Sequence, residues 1–376
     1  MVPHVFLSTE KIATGTGGCL RHSAIVVRPR SPNRTMSSVL NVVVSGAAGQ
    51  VAYAFLPLLC SGRVLGANQR IHLRLLDIPQ SVDAMNGVVM ELNDCAFNLI
   101  DDIVPTTDLQ TAFQDADIAI LLGGFPRKQG MERKELIAKN GHIFKAQGAA
   151  LEKFARRSVK VLVVANPANT NCLIAMKNAP SIPTENFTAL TRLDHERMRS
   201  LLVKKIQSLP EHRDISSNHV RNCVIWGNHS NTQVPDASHV VIHAPDGSLA
   251  PVADYIQDPE WIDSSLRPLV QNRGAAIIQA RKLSSAMSVG AAIAGHMNDW
   301  LFGSSELVSM GILSTGNGYG VPDDLIYSFP IKCTGDGKYH VANVAVTPTV
   351  AKLMQISTDE LESEKHDAFA QTDSKI

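Results

Sequence analysis

The chain has 376 residues, 44% hydrophobic and 19% charged, which allows a sizeable core and two domains and excludes wholesale disorder. Lys plus Arg number 35 and Asp plus Glu number 35, so no net basic field exists to neutralise nucleic-acid phosphates; any anion must be bound locally. The six cysteines are scattered, with no Cys-x-x-Cys pair and no His/Cys cluster at zinc spacing, which points to a reducing compartment and no metal.

Residues 1–35 carry Lys11, Arg21, Arg28, Arg30 and Arg34 against the single acid Glu10, with little apolar periodicity. They are expected to be a disordered extension, either an organellar transit peptide or a dispensable segment ahead of Met36. The uncharged stretch from Thr35 to Gly62 is long enough for a membrane span, but Asn41, Ser45, Gly46, Gly49, Gln50 and Pro57 interrupt it. A strand, a tight turn and a buried helix explain it better, and no membrane partner is expected.

The run Val39–Ser45 is β-branched and leads through Gly46, Ala47, Ala48, Gly49, Gln50, Val51 and Ala52 into a helical pattern that ends near Gly62. Such a turn fits a plain strand–helix connection or a dinucleotide site equally well, and the next strand decides between them. Ile71–Asp77 is that strand, and it ends in an acid where such folds place the ribose-binding carboxylate. Asp77 would repel a 2′-phosphate and no cation follows it, so NAD is favoured over NADP.

A helix from Ser81 to about Asn98 precedes a buried strand, Asp117–Leu122. That strand runs into a loop broken by Pro126 and Gly130, with Arg127 and Arg133 on either side of its flexible part. Such a loop can close over an anion, and two arginines suggest a substrate with one or two carboxylates. A helix over Glu132–Arg157 and a strand over Val159–Ala165 continue the alternation, which predicts a doubly wound parallel sheet of Rossmann type. The domain expectation is 36–190 for dinucleotide binding and 191–376 for a second, α+β substrate domain.

In that second part Asp194 and Arg197 stand one turn apart on one helix face, and the strand-like run Arg221–Trp226 leads to His229 in a polar turn. A hairpin about Pro245–Gly247, an amphipathic helix near Asp258–Asn272 and a long helix over Ala275–Trp300 follow. Ser357-Thr-Asp-Glu360 reads as a capping box that starts a C-terminal helix.

At this point the chain resembles the NAD-dependent malate dehydrogenases of the cytosolic type, over about residues 36–371. The resemblance rests on Gly46-Ala-Ala-Gly-Gln50, Leu75-Leu-Asp77, Phe125-Pro-Arg-Lys-Gln-Gly-Met-Glu-Arg-Lys134, Asn166-Pro-Ala-Asn-Thr-Asn171, Leu193-Asp-His-Glu-Arg197, Trp226-Gly-Asn-His-Ser230 and Tyr319-Gly-Val-Pro322. It implies a reversible oxidation of malate to oxaloacetate in a cytoplasmic homodimer. His229 would be the general base, oriented by Asp194, and Arg197 would grip the carboxylate beside the reacting carbon. Arg127 would hold the distal carboxylate, and Arg133 would close over the substrate and polarise its carbonyl. Asn166 would contact substrate and nicotinamide, while Asn140, Gln147, Val164 and Ala165 would line the cofactor. Ala165 stands where glycine is usual and Gly290 where alanine is usual.

The residues themselves agree with this chemistry, because oxidising a secondary alcohol needs a base for the hydroxyl proton and a hydride acceptor held against the carbon. His195 lies off the Asp194/Arg197 face and is given no catalytic role. Two other readings are a dehydrogenase for a different 2-hydroxy acid and a nucleotide-binding scaffold that has lost turnover.

Overall fold

β-branched runs alternating with helices whose apolar stripes face them leave a sheet with both faces covered, and that pattern governs the arrangement of residues 40–189. The structure is a computed structural model and describes residues 39–125 and 133–370, which belong to one packed unit. In order come β1 (Leu40–Ser45), α1 (Gln50–Cys60), β2 (Ile71–Leu76), α2 (Val82–Asp94), β3 (Ile100–Thr106) and α3 (Leu109–Phe113). Then follow β4 (Ile118–Leu121), α4 (Arg133–Phe154), β5 (Lys160–Val163), α5 (Ala168–Lys177) and β6 (Phe187–Ala189). Val42, Val43 and Val44 of β1 are wholly buried, as a central parallel strand requires.

The remainder comprises α6 (Arg192–Gln207), β7 (Val220–Arg221), β8 (Val224–Trp226), β9 (Val234–Asp236), β10 (Val241–His243), β11 (Leu249–Pro251) and α7 (Val252–Tyr255). A π turn, Trp261–Ser265, opens α8 (Leu266–Gln271), and α9 (Arg273–Arg281) and α10 (Met287–Phe302) follow. Last come β12 (Val308–Leu313), β13 (Ile326–Gly335), β14 (Lys338–Val341) and α11 (Pro348–Ala370).

The main sheet has nine strands in the order β14-β13-β12-β6-β5-β4-β1-β2-β3. β1 to β6 are parallel, in the 3-2-1-4-5-6 order of doubly wound folds, and β12 to β14 extend the same sheet in antiparallel fashion. α10 crosses α1 so closely that a Cβ at Gly290 would stand 3.1 Å from the Ala54 carbonyl carbon, which accounts for the glycine there. Two smaller sheets, β11-β10-β7 and β8-β9, complete the second part. No helix among the described residues is long and apolar enough to cross a membrane.

Several expectations about elements need correction. The long helix over 275–300 is two helices, because Lys282 adopts a left-handed conformation (φ 61°) between α9 and α10. The run 221–226 is split at Asn222, also left-handed (φ 61°), into β7 and β8. Ser357 and Glu360 do not cap α11, which begins nine residues earlier at Pro348; they lie inside it, and Ser357 is fully buried.

Candidate active site

The connections after β1 and β4 leave the sheet in different directions, so a crevice opens at the carboxyl ends of this neighbouring pair. The backbones of Gly46 and Gly123 touch there. Gly46 has a φ of +67°, and a Cβ on it would lie 2.6 Å from the Cα of Gly123. Gly123 is held in place as its N–H donates to Ser45 Oγ at 3.2 Å.

Within the turn, Ala47 N–H donates to Leu76 O (3.2 Å) and Gly49 N–H to Gly46 O (3.0 Å). Ala48 N–H donates to Asp77 Oδ2 at 2.9 Å. Gly49 is an extended N-cap without a side chain, so the first-turn N–H groups of Gln50, Val51 and Ala52 are available to an anion at the positive end of α1. Ala52 is wholly buried, letting α1 sit close to the sheet.

Asp77 accepts from Ala48 N–H with one oxygen and from Ile78 N–H (2.8 Å) with the other. Those two bonds fix the carboxylate at the end of β2, and each oxygen keeps lone pairs for a ribose hydroxyl. The residues present therefore fit a dinucleotide.

Across the crevice, Val164 and Ala165 are partly exposed after β5 and Asn166 is exposed. The Ala165 methyl is 3.1 Å from the place a Cβ would take on Gly124, so the alanine here narrows the groove against the start of the lid. Asn140 is wholly buried and its amide is fully engaged with backbone: Oδ1 accepts from Phe125 N–H at 2.7 Å, and Nδ2 donates to Asn166 O at 2.7 Å and Phe125 O at 3.3 Å. It thus holds Phe125 of the lid and the Asn166 peptide in one arrangement. Gln147, one further stretch along α4, is buried, and its Oε1 meets no donor among the described residues. Arg127 lies outside the described residues, and of Arg133 only the backbone is described, as the first residue of α4.

The second group of candidates is brought together. Asp194, in the first turn of α6, is wholly buried; one oxygen accepts from Arg197 Nη1 at 2.9 Å and the other meets His229 Nδ1 at 2.5 Å. Burial works against its ionisation, but the His229 imidazole and the Arg197 guanidinium outweigh it and hold Asp194 below the usual carboxylate range. With Nδ1 facing Asp194, His229 presents Nε2 outward, and its side chain keeps 16% exposure. Arg197 Nη2 donates to Ser285 Oγ at 3.2 Å in the segment between α9 and α10. His195 is separate from this group: it is wholly buried between Ser309 Oγ (3.2 Å) and Arg199 Nη2 (2.9 Å), and burial keeps it neutral well below the ordinary histidine range.

Several supporting residues have no counterpart among the sequence candidates. Asn169, in the first turn of α5, accepts from His229 N–H at 3.0 Å and donates to Gly227 O and Ile326 O. Asn228 donates its N–H to Ser357 Oγ at 2.8 Å and its Nδ2 to Glu360 Oε2 and Glu364 Oε1, both at 2.8 Å. Ser357 and Glu360 were visible as a motif, whose true role is to hold the His229 loop from inside α11. Nothing in the local sequence singles out Ser285 or Glu364. Among the described residues no group of three or more His, Cys, Asp or Glu could hold a metal ion.

The sheet order and the crevice at its switch point define a doubly wound, dinucleotide-binding class of protein. Residues 40–188 match the lactate/malate dehydrogenase NAD binding domain, and residues 191–372 match the lactate/malate dehydrogenase alpha/beta C-terminal domain. The chain is 47% identical over 336 residues to a cytoplasmic malate dehydrogenase of Rattus norvegicus, covering 89% of this chain and 98% of the relative. A crystal structure of malate dehydrogenase from Naegleria fowleri is similar at a TM-score of 0.82 and 44% identity, over 89% of this chain and 98% of that one. A Trichomonas vaginalis lactate dehydrogenase in complex with NADH and oxamate is similar at a TM-score of 0.84 and 34% identity, over 89% and 100% of the two chains. The chain belongs to the lactate/malate dehydrogenase family, and NAD is its cofactor.

Proposed function

We propose that this protein is a malate dehydrogenase that interconverts (S)-malate and oxaloacetate with NAD, using His229 as the base. The observation that carries this reading is the buried Asp194 bonded at once to Arg197 and to His229 Nδ1, in a chain so similar to cytoplasmic malate dehydrogenases. When bound in the crevice, the nicotinamide supplies the hydride acceptor. His229 Nε2 takes the proton of the C2 hydroxyl, and Asp194 holds the imidazole in the tautomer that exposes Nε2 and offsets the charge it gains. Arg197 holds the carboxylate next to the reacting carbon. Asn166 orients the substrate against the cofactor, and Asn140 keeps the Asn166 peptide in position. Asp77 receives the adenosine ribose, and Arg127 and Arg133 complete the site from the lid.

A lactate-type substrate is the second reading, favoured by the 34% identical Trichomonas vaginalis lactate dehydrogenase. Arg127 separates the two, since a monocarboxylate would leave its guanidinium without a partner in a closed site. Truncating one member of a desolvated charge pair costs about 2–5 kcal/mol, so Arg127→Gln is expected to lower kcat/KM for oxaloacetate roughly 30- to several-thousand-fold. Pyruvate turnover should hold steady or rise. Assays of the unaltered protein with oxaloacetate and with pyruvate, each against NADH and NADPH, test the whole reading: higher efficiency with pyruvate would exclude it.

The relatives are named cytoplasmic, which supports a cytoplasmic location. The same resemblance supports a homodimer, and light scattering of the purified protein should give twice the mass of one chain.

A further inference from the structure

The loop bearing His229 is held from behind by α11. We infer that Glu364 is a positioning residue that sets His229 against the Asn166 side of the cofactor crevice by bridging the His229 loop to α5. The inference rests on the proposed role of His229 as base.

Glu364 is 3% exposed in the middle of α11 and reaches two separate elements with its two oxygens. Oε1 accepts from Asn228 Nδ2 at 2.8 Å, one residue before His229. Oε2 accepts from the Thr170 hydroxyl in the first turn of α5, which begins directly after Asn166 and Pro167. The distance between the proton acceptor and the groups that orient substrate and cofactor is therefore fixed partly by the length of one carboxylate. A bridge of this kind is a stiff spacer, because both of its bonds are buried.

Other contacts keep the spacer in place. Asn228 N–H donates to Ser357 Oγ, Thr232 Oγ1 donates to Glu360 Oε2 at 2.6 Å, and Lys134 in the first turn of α4 pairs with Asp367 at 3.0 Å. The same helix thus touches the base loop and the helix that follows the lid. Gly227 has a φ of +88°, and a Cβ on it would overlap Ser357 Oγ and stand 2.7 Å from Ser357 Cβ, so α11 meets the loop without a gap.

Misplacement of a reacting group by about 1 Å costs on the order of 10²-fold in rate, whereas affinity for a cofactor bound elsewhere is unaffected. Glu364→Met keeps volume and helix propensity but removes both acceptors. It is expected to lower kcat about 10- to 100-fold, leave the Kd for NADH within twofold, and raise the primary isotope effect seen with NADH deuterated at the transferred position. Glu364→Gln can still accept from Asn228 and donate to Thr170, so it should keep kcat within about threefold. Thr170→Val, which severs only the α5 end, should show an intermediate loss, and its effect should not add to that of Glu364→Met.

Unchanged kcat and isotope effect in Glu364→Met would overturn the inference whatever the change in Tm, and so would equal losses in the Met and Gln variants. If Glu364→Met does not fold, Thr170→Val decides by the same readouts: a kcat within twofold of the unaltered protein overturns the inference. His229→Asn is measured alongside. Near-normal turnover there would refute the base assignment itself, while a dead His229→Asn with normal Thr170 and Glu364 variants would remove the bridge alone.

Discussion

Asp194 has its two oxygens divided between the Arg197 guanidinium and the His229 imidazole, and it is wholly buried. Asp194→Asn keeps the shape but can donate toward His229, which favours the wrong tautomer. The expected outcome is a fall in kcat of about 10²–10⁴-fold with NADH binding retained, measured by stopped-flow turnover and by fluorescence titration of NADH. A loss below tenfold would show that the tautomer is set by another group. The sequence placed Asp194 and Arg197 on one face by their one-turn spacing, and the ion pair follows from it. It could not bring His229 to them, because Asp194 and His229 lie 35 positions apart with β7 and β8 between them, and only the family resemblance spans that distance. Asn228 was equally hidden: a buried asparagine reads like any polar loop residue until its partners on α11 are known.

Helices and strands were legible where one physical signal dominated. The run Val39–Ser45 and its glycines gave β1, the turn and α1, and Ile71–Asp77 gave β2. β3 escaped because Asp101, Asp102 and Pro105 break its apolar pattern at a sheet edge, and β6 because it is only three residues long. The Ser357–Glu360 motif was misread since a hydroxyl and an acid three residues apart on a helix serve an N-terminus or a neighbouring loop alike. The glycine turn was read for its chemistry, and the structure adds a second glycine that it must face. Gly46→Ala forces a Cβ into the Gly123 backbone at 2.6 Å and requires a left-handed alanine. It should weaken NADH binding by at least about tenfold and lower stability by about 1–3 kcal/mol, read by titration and urea unfolding. Unchanged NADH affinity would mean that the crevice can relax without its close backbone contact.

At the scale of the whole molecule, the joining of the two matched regions through one sheet was the least visible feature, because β12 pairs with β6 across the boundary and β13 and β14 extend the sheet beyond it. Buried beside that seam is His296, whose Nε2 contacts the Thr188 hydroxyl at 3.0 Å. Burial, helped by the nearby Arg192, pushes His296 down to about 3, and His195 is also held well below its ordinary value. Between that range and about pH 6.5 the unfolded chain binds protons that the folded chain refuses, so these histidines' contribution to stability is complete above about pH 6.5 and declines as pH falls, by about 1.4 kcal/mol per pH unit for each. Asp194, held low, acts in the same direction only below about pH 4, and Asp299, raised by burial, opposes the histidines in sign. Calorimetric Tm should fall from pH 7 to pH 5, and His296→Gln, which can still bond Thr188, should flatten the slope. A Tm independent of pH over that interval would refute the account. Separately, β1 starts at Leu40 and the family match at residue 40, so a chain starting at Met36 is expected to keep its fold and its kcat. Loss of activity on that truncation would assign residues 1–35 a part in the fold.

The tie between Asn228 and Glu360 also sets an order of events during synthesis. These partners are 132 residues apart in the chain, which at about 5–20 residues per second separates their translation by roughly 7–26 s. Over that interval a nascent chain has finished its glycine turn, Asp77 and Asp194 while the loop bearing His229 has no α11 to rest on. The support of that loop is therefore completed only once α11 has been translated.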